Sequence, residues 1–139
     1  MKPKITVVTL GVENLEKAVA FYKEGLGFPT KGIIGEEFDQ GAVAFFDLHE
    51  GLKLAVWHRE NIASEAKIPL TPSSAAAFTI GHNVASKNEV NQVMEEAEKA
   101  GAVITDPAHE TFWGGYSGHF QDLDGHVWEV VWNPDFESL

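Results

Sequence analysis

Cysteine is absent from the 139 residues, which excludes disulfides, thiolate metal sites and a thiol nucleophile. Long hydrophobic runs are also missing: no apolar stretch approaches the roughly 20 residues that a membrane helix needs. The basic start Met1-Lys2-Pro3-Lys4 leads into a stretch holding Thr6, Thr9 and Glu13, with no small-residue cleavage pattern behind it. That segment reads as a strand rather than a signal peptide. Positive charge is scarce, with Lys+Arg 10 against Asp+Glu 21 and a formal net charge of -11. Such a balance repels phosphate backbones and anionic lipid, so neither nucleic acid nor a membrane surface is an expected partner. The remaining composition, 44% hydrophobic and 22% charged, is that of a soluble globular chain, and the expected location is cytoplasmic.

What is present is one unit written twice. Ile5 to Val12 is rich in β-branched and apolar residues and predicts a strand. Asn14 offers an N-cap, Leu15, Val19, Tyr22 and Leu26 follow at helical spacing, and Gly27 stands where a left-handed residue closes the helix. Three strands are expected after it, around residues 32–37, 42–48 and 52–58. The second half repeats this order with a strand over 78–84, a Ser86-x-x-Glu89 capping box, a helix buried through Val90, Val93, Met94 and Ala97, and Gly101 at its end. Strands near 102–105, 116–122 and 126–132 complete it. Two copies indicate a duplication rather than a solenoid. The expected organisation is a first module at 1–58, a linker at 59–74 marked by Pro69, Pro72 and a serine pair, a second module at 75–133 and a tail at 134–139.

Strand alternation separates the two faces of each sheet. Val8, Leu10 and Val12, with Leu52, Leu54 and Val56, belong to the helix side. Val7 and Thr9, with Lys53, Ala55, Trp57 and Arg59, face away. In the second half Trp128, Val130 and Trp132 take the helix side, and Thr79, Gly81, Val127, Glu129 and Val131 the other. A carboxylate between two valines is out of place on a buried face unless it is paired. Two readings stay open: a functional acid, or one that is solvated or bridges to Lys53 or Arg59.

Leu10-Gly11-Val12-Glu13-Asn14-Leu15, Phe21-Tyr22, Leu26-Gly27-Phe28 and Phe120-Gln121-Asp122-Leu123-Asp124-Gly125-His126-Val127-Trp128-Glu129 together resemble the vicinal-oxygen-chelate superfamily of glyoxalases, bleomycin-resistance proteins and dioxygenases. The resemblance implies an α+β fold of two βαβββ modules with curled mixed sheets forming a cleft, commonly in a homodimer. It also implies a divalent metal held at four equivalent sheet positions, which here are Val7, Ala55, Thr79 and Glu129. Only Glu129 can ligate well, so no metal and no other cofactor is expected.

Among the histidines, His49, His58, His82, His109 and His126 are expected at surfaces, turns or on the helix side. His119 occupies the strand position where the resemblance implies a polar group reaching substrate, matched by Phe45 in the first module. It faces that way only if the turn before His126 is longer than two residues. The expected site therefore pairs Glu129 with His119 as catalytic groups and uses Thr9, Phe45, Trp57, Thr79 and Trp113 as ligand contacts, Trp57 and Trp113 by aromatic stacking. Trp128 and Trp132 read as core or dimer contacts. Two functions follow for a small-molecule protein of this kind. One is lyase or isomerase chemistry beside a carbonyl without metal, and the other is sequestration of a toxic compound without chemistry.

Overall fold

In the computed structural model, which describes residues 1–72 and 74–135, the chain forms a first compact unit, Met1–Pro72, and a second that takes the rest. Unit 1 contains β1 (Val7–Val12), α1 (Leu15–Ala20), β2 (Thr30–Ile34), β3 (Val43–Asp47), β4 (Lys53–His58) and α2 (Arg59–Ala66). Unit 2 contains β5 (Thr79–Asn83), α3 (Lys87–Ala100), β6 (Val103–Glu110), β7 (Tyr116–Gln121) and β8 (Val127–Trp132). Each unit holds one open, mixed sheet, ordered β1-β4-β3-β2 and β5-β8-β7-β6. β1 with β4 and β5 with β8 pair in parallel, and the other neighbours are antiparallel. Parallel pairing of β1 with β4 requires a crossover, and α1 with β2 and β3 supplies it.

Local chemistry places the helices. The Asn14 side chain accepts from the Lys17 N–H at 2.9 Å, and Ser86 Oγ accepts from the Glu89 N–H at 3.1 Å. The Glu89 carboxylate reaches back to the Ala85 N–H at 2.7 Å, one residue earlier than the Ser86 donor that a capping box would use. Gly101 closes α3 in the left-handed region, φ 110°. The stripe of the first helix differs from the expected one: Leu15, Ala18, Phe21 and Tyr22 are buried, while Val19 and Leu26 are only half-buried. A π-helical turn follows over Phe21–Gly25, downstream of Ala18 and Val19.

The segment expected as a linker at 59–74 begins instead with α2, which lies against β1 and β4. Gly11 permits this approach, since a Cβ there would stand 2.9 Å from Arg59 Cβ. Arg59 therefore leaves the strand alternation and joins the helix, its guanidinium pairing with Glu13. Of the expected linker and tail, Ser73 and residues 136–139 lie outside the described residues. No helix among the described residues is long and apolar enough to cross a membrane.

The cores follow the alternation. Leu10, Val12, Tyr22, Phe46, Leu54 and Val56 are buried in unit 1, and Val90, Phe120, Trp128 and Val130 in unit 2. Trp128 stacks on Phe120 with centroids 6.0 Å apart, so it is a core residue, while Trp132 lies beneath the Lys87 ammonium.

The β7–β8 connection sets the register on which unit 2's open face depends. Asp122 and His126 oppose each other, the Asp122 N–H donating to the His126 carbonyl at 3.0 Å. Leu123, Asp124 and Gly125 form the loop between them, with Gly125 at φ 87°. The buried Asp122 carboxylate accepts from the Asp124 N–H, the His126 N–H and His126 Nδ1 at 2.9, 2.9 and 2.7 Å. Asp122→Ala should therefore lower unfolding free energy by about 2–3 kcal/mol, since it strands two backbone donors and an imidazole. Urea denaturation checks this, and a loss below about 0.5 kcal/mol would show that the carboxylate does not hold the turn.

Candidate functional site

Three strands of unit 2 bring titratable side chains into one cross-strand row. Gly81 on β5 is in register with Glu129 on β8, Glu129 with His119 on β7, and His119 with Asp106 on β6. The three-residue loop at 123–125 decides the parity, placing His119 on the same face as Glu129 and opposite α3. A bulge on each side of Asp106 re-aims the edge strand so that its carboxylate meets His119. Gly81 closes the row with open space, as a Cβ added there would meet nothing within 4 Å. A small molecule can thus approach Glu129 over β5.

His119 stands between two carboxylates. Its Nδ1–H donates to Asp106 Oδ2 at 2.9 Å, and its Nε2 lies 3.7 Å from Glu129 Oε2. Fractional side-chain exposures of 31% for His119 and 36% for Glu129 leave both open to a ligand. Glu129 is thus part-exposed rather than enclosed between Val127 and Val131. The bases considered as partners for Glu129 are engaged inside unit 1, Lys53 with Asp47 and Arg59 with Glu13.

Asp106 serves a second imidazole. His109 Nε2 lies 3.2 Å from Asp106 Oδ2, and His109 Nδ1 lies 2.9 Å from the Glu110 carbonyl. Both partners are acceptors, so the arrangement suits the doubly protonated ring. The Glu110 carbonyl first and the Asp106 carboxylate second raise the His109 pKa above its ordinary value. Hydrogen bonds from His119 and His109 hold the Asp106 carboxyl below the usual carboxylate range against a smaller desolvation effect. Neither Asp106 nor His109 belonged to the expected site, since the strand was expected near 102–105 and His109 beyond it. β6 is an edge strand, where the missing N–H of Pro107 is tolerated, and it runs on to Glu110.

The other expected contacts fall as follows. Thr79 is exposed on β5 in register with Val127, on the same face as the row but one pair along. Trp113 lies at the tip of the β6–β7 hairpin, its ring packed on Gly115, where an added Cβ would stand 2.0 Å from it. In unit 1, Thr9, Ala55 and Phe45 form the corresponding row. Trp57 stands one pair further along that face, with its Nε1–H donating to the Gln40 carbonyl at 3.0 Å.

The donor set at the four positions assigned to a metal does not fit one. Val7 and Ala55 are hydrocarbon, and Thr79 offers only a neutral hydroxyl, leaving a single carboxylate. Among the described residues no group of three or more His, Asp or Glu side chains is arranged to hold a metal ion.

The sharing of Asp106 gives a pH signature with a defined sign. A raised His109 pKa contributes stability below the unfolded imidazole value, and this is lost as pH rises through the elevated value. The lowered Asp106 pKa contributes stability above the unfolded carboxylate value, and this is lost as pH falls through the depressed one. In a histidine NMR titration the His109 ring should change charge at higher pH than a free imidazole. Asp106→Asn should move that midpoint down while the Glu110 contact keeps part of the shift. An unmoved midpoint would show that the two groups are not coupled.

Comparison with known proteins accords with this architecture. The sequence profile of the Glyoxalase/Bleomycin resistance protein/Dioxygenase superfamily matches residues 4–130. A crystal structure of a glyoxalase-related enzyme from Fulvimarina pelagi is 32% identical with a TM-score of 0.80, covering 95% of this chain and 89% of that one. The uncharacterized protein YraH of Bacillus subtilis (strain 168) is 26% identical over 131 residues, which span 91% of this chain and 96% of that protein. The fosfomycin resistance protein FosX from Listeria monocytogenes, solved with Mn(II) and 1S,2S-dihydroxypropylphosphonic acid, shares the fold at 21% identity and a TM-score of 0.66, covering 94% of this chain and 90% of that one. Two sheets of order β1-β4-β3-β2 type, their repeated βαβββ connectivity and the profile match make this chain a member of the glyoxalase/bleomycin resistance protein/dioxygenase superfamily.

Proposed function

We propose that this protein is an enzyme that moves a proton on a small organic molecule next to a carbonyl group, as an isomerase or lyase, using Glu129 and His119. The observation that carries the reading is the Glu129–His119–Asp106 row with open space over Gly81. An acid and a base 3.7 Å apart can engage the two ends of an H–C–C=O unit together. The Glu129 carboxylate takes the C–H proton, the electron pair moves to the carbonyl oxygen, and the protonated His119 gives that oxygen its Nε2 proton. Return of a proton to the same carbon from Glu129, with His119 taking back its own, regenerates the carbonyl compound with its carbon-bound hydrogen exchanged. On an α-hydroxycarbonyl, protonation of the former carbonyl carbon by Glu129, with His119 taking the proton of the other enediol oxygen, gives the isomer. Atoms and charge balance in both.

Asp106 is a positioning residue. Its bond to Nδ1 fixes the ring so that Nε2 is the nitrogen presented toward Glu129. The glyoxalase-related relative supports an enzyme reading, and the donor set described above leaves the chemistry to side chains. Sequestration of a compound without chemistry is the competing function and predicts a different outcome in the same experiment.

The protein should be incubated in D2O with a panel of α-hydroxycarbonyl and β-dicarbonyl compounds, with carbon-bound hydrogen followed by NMR. Exchange or isomerisation is expected with the native chain. Glu129→Gln should lower the rate by roughly 10²–10⁴-fold. Because Glu129 is part-exposed and weakly paired, the same change should alter stability by less than about 0.5 kcal/mol. A compound that binds saturably and returns undeuterated and unchanged would replace catalysis with sequestration.

A further inference from the structure

Unit 1 carries a pocket of its own on the face turned from α1, about 290 Å³ in volume and lined by Lys31, Gly32, Ile34, Phe45, Asp47 and Lys53. A bulge builds it. Thr30 opposes Phe46 and Ile33 opposes Ala44, so Lys31 and Gly32 share the place opposite Phe45. The Gly32 N–H donates to Thr30 Oγ1 at 3.0 Å, and its φ of 88° suits glycine. That extra residue moves Ile34, rather than Ile33, onto the Phe45 side, where Lys31 also lies.

The result is an apolar floor with a positive rim. Phe45 and Ile34 remain 36% and 50% exposed. Lys53 is neutralised by its ion pair with Asp47. Lys31 acts on Asp47 electrostatically but makes no ion pair within 4 Å among the described residues, so the three charges leave an excess of one positive. In a chain of net charge -11, a local excess of positive charge beside exposed aromatic surface is a selective feature. A cationic ligand would be repelled where a small anion is attracted.

We infer that this pocket binds a small organic anion, its apolar body resting on Phe45 and Ile34 and its carboxylate meeting the Lys31 ammonium. The inference stands on unit 1 alone and survives failure of the acid–base reading of unit 2. An aromatic carboxylate of about benzoate size matches the floor, since a flat ring can lie against Phe45 while its carboxylate stays at the wet rim.

Benzoate, benzyl alcohol and benzylamine test this as probes of one shape and three charges. Each is titrated into the full chain with amide NMR as the readout. Benzoate should shift the Gly32, Ile34 and Phe45 amides saturably, benzyl alcohol more weakly, and benzylamine least. Lys31→Glu should weaken benzoate roughly tenfold and abolish its advantage over benzylamine, while Lys31→Arg retains it. Added salt should reduce the advantage of benzoate. Equal shifts from all three probes would overturn the proposal, as would the absence of a saturable shift at these amides. So would movement of the same amides with protein concentration alone, which would give this face to a second copy of the chain.

Discussion

The number of residues between β7 and β8 fixes which side chains share a face, and the candidate site depends on that count. With Asp122 opposite His126, the strand positions 119 and 129 are cross-strand partners and point the same way. A two-residue hairpin would turn His119 into the α3 side and leave Glu129 beside a different neighbour, because a one-residue slip exchanges the faces of a strand. The Asp122 carboxylate makes the longer loop stable by gathering two backbone N–H groups and the His126 ring. A buried acid with a structural task in the turn thus determines the surroundings of an accessible acid seven residues later.

The row itself adds little to the fold. Its members are part-exposed, and ion pairs in such positions contribute roughly 0–1 kcal/mol. Stability rests on the opposite faces, where Phe46, Leu54 and Val56 in one unit and Phe120, Trp128 and Val130 in the other are removed from water. This separation of tasks leaves the open face free to vary. A substitution there changes what the protein recognises before it changes whether the protein folds.

Much of the fold was legible because its signals are local or strictly periodic. The Asn14 and Ser86 caps, the Gly101 terminus and the alternation of β1 stand in the structure as the residues imply. Ala55 in β4 and Val131 in β8 are buried, although alternation puts them on the face turned from the helices. The facing of Glu129 followed from alternation alone, whereas that of His119 required the loop length, which a sequence states only ambiguously. Asp106 and His109 escaped because the strand was expected to stop near residue 105, and the edge position that lets β6 run on through Pro107 is a property of the assembled sheet. The helix α2 escaped because Pro69, Pro72 and the serines drew the whole of 59–74 toward a linker reading, although Arg59 to Ala66 contains no proline or glycine.

The two units show how far the backbone and the row chemistry are separable. Strand order is the same in both, and each loop before the last sheet strand closes on a glycine at positive φ, Gly51 at 81° and Gly125 at 87°. Superposed by register, Thr9, Ala55, Phe45 and the Lys31–Gly32 bulge in unit 1 correspond to Gly81, Glu129, His119 and Asp106 in unit 2. One row runs from a hydroxyl through two hydrocarbon side chains to a cation, and the other is open space followed by acid, imidazole and acid. Register comes from turns and hydrogen-bond ladders and so is inherited with the duplicated backbone. Ala55 is buried, whereas Glu129, at the corresponding position, and its neighbour His119 are part-exposed, so the copies differ in exposure as well as in side-chain identity. A duplicated sheet therefore offers two faces of matched register that carry different side chains.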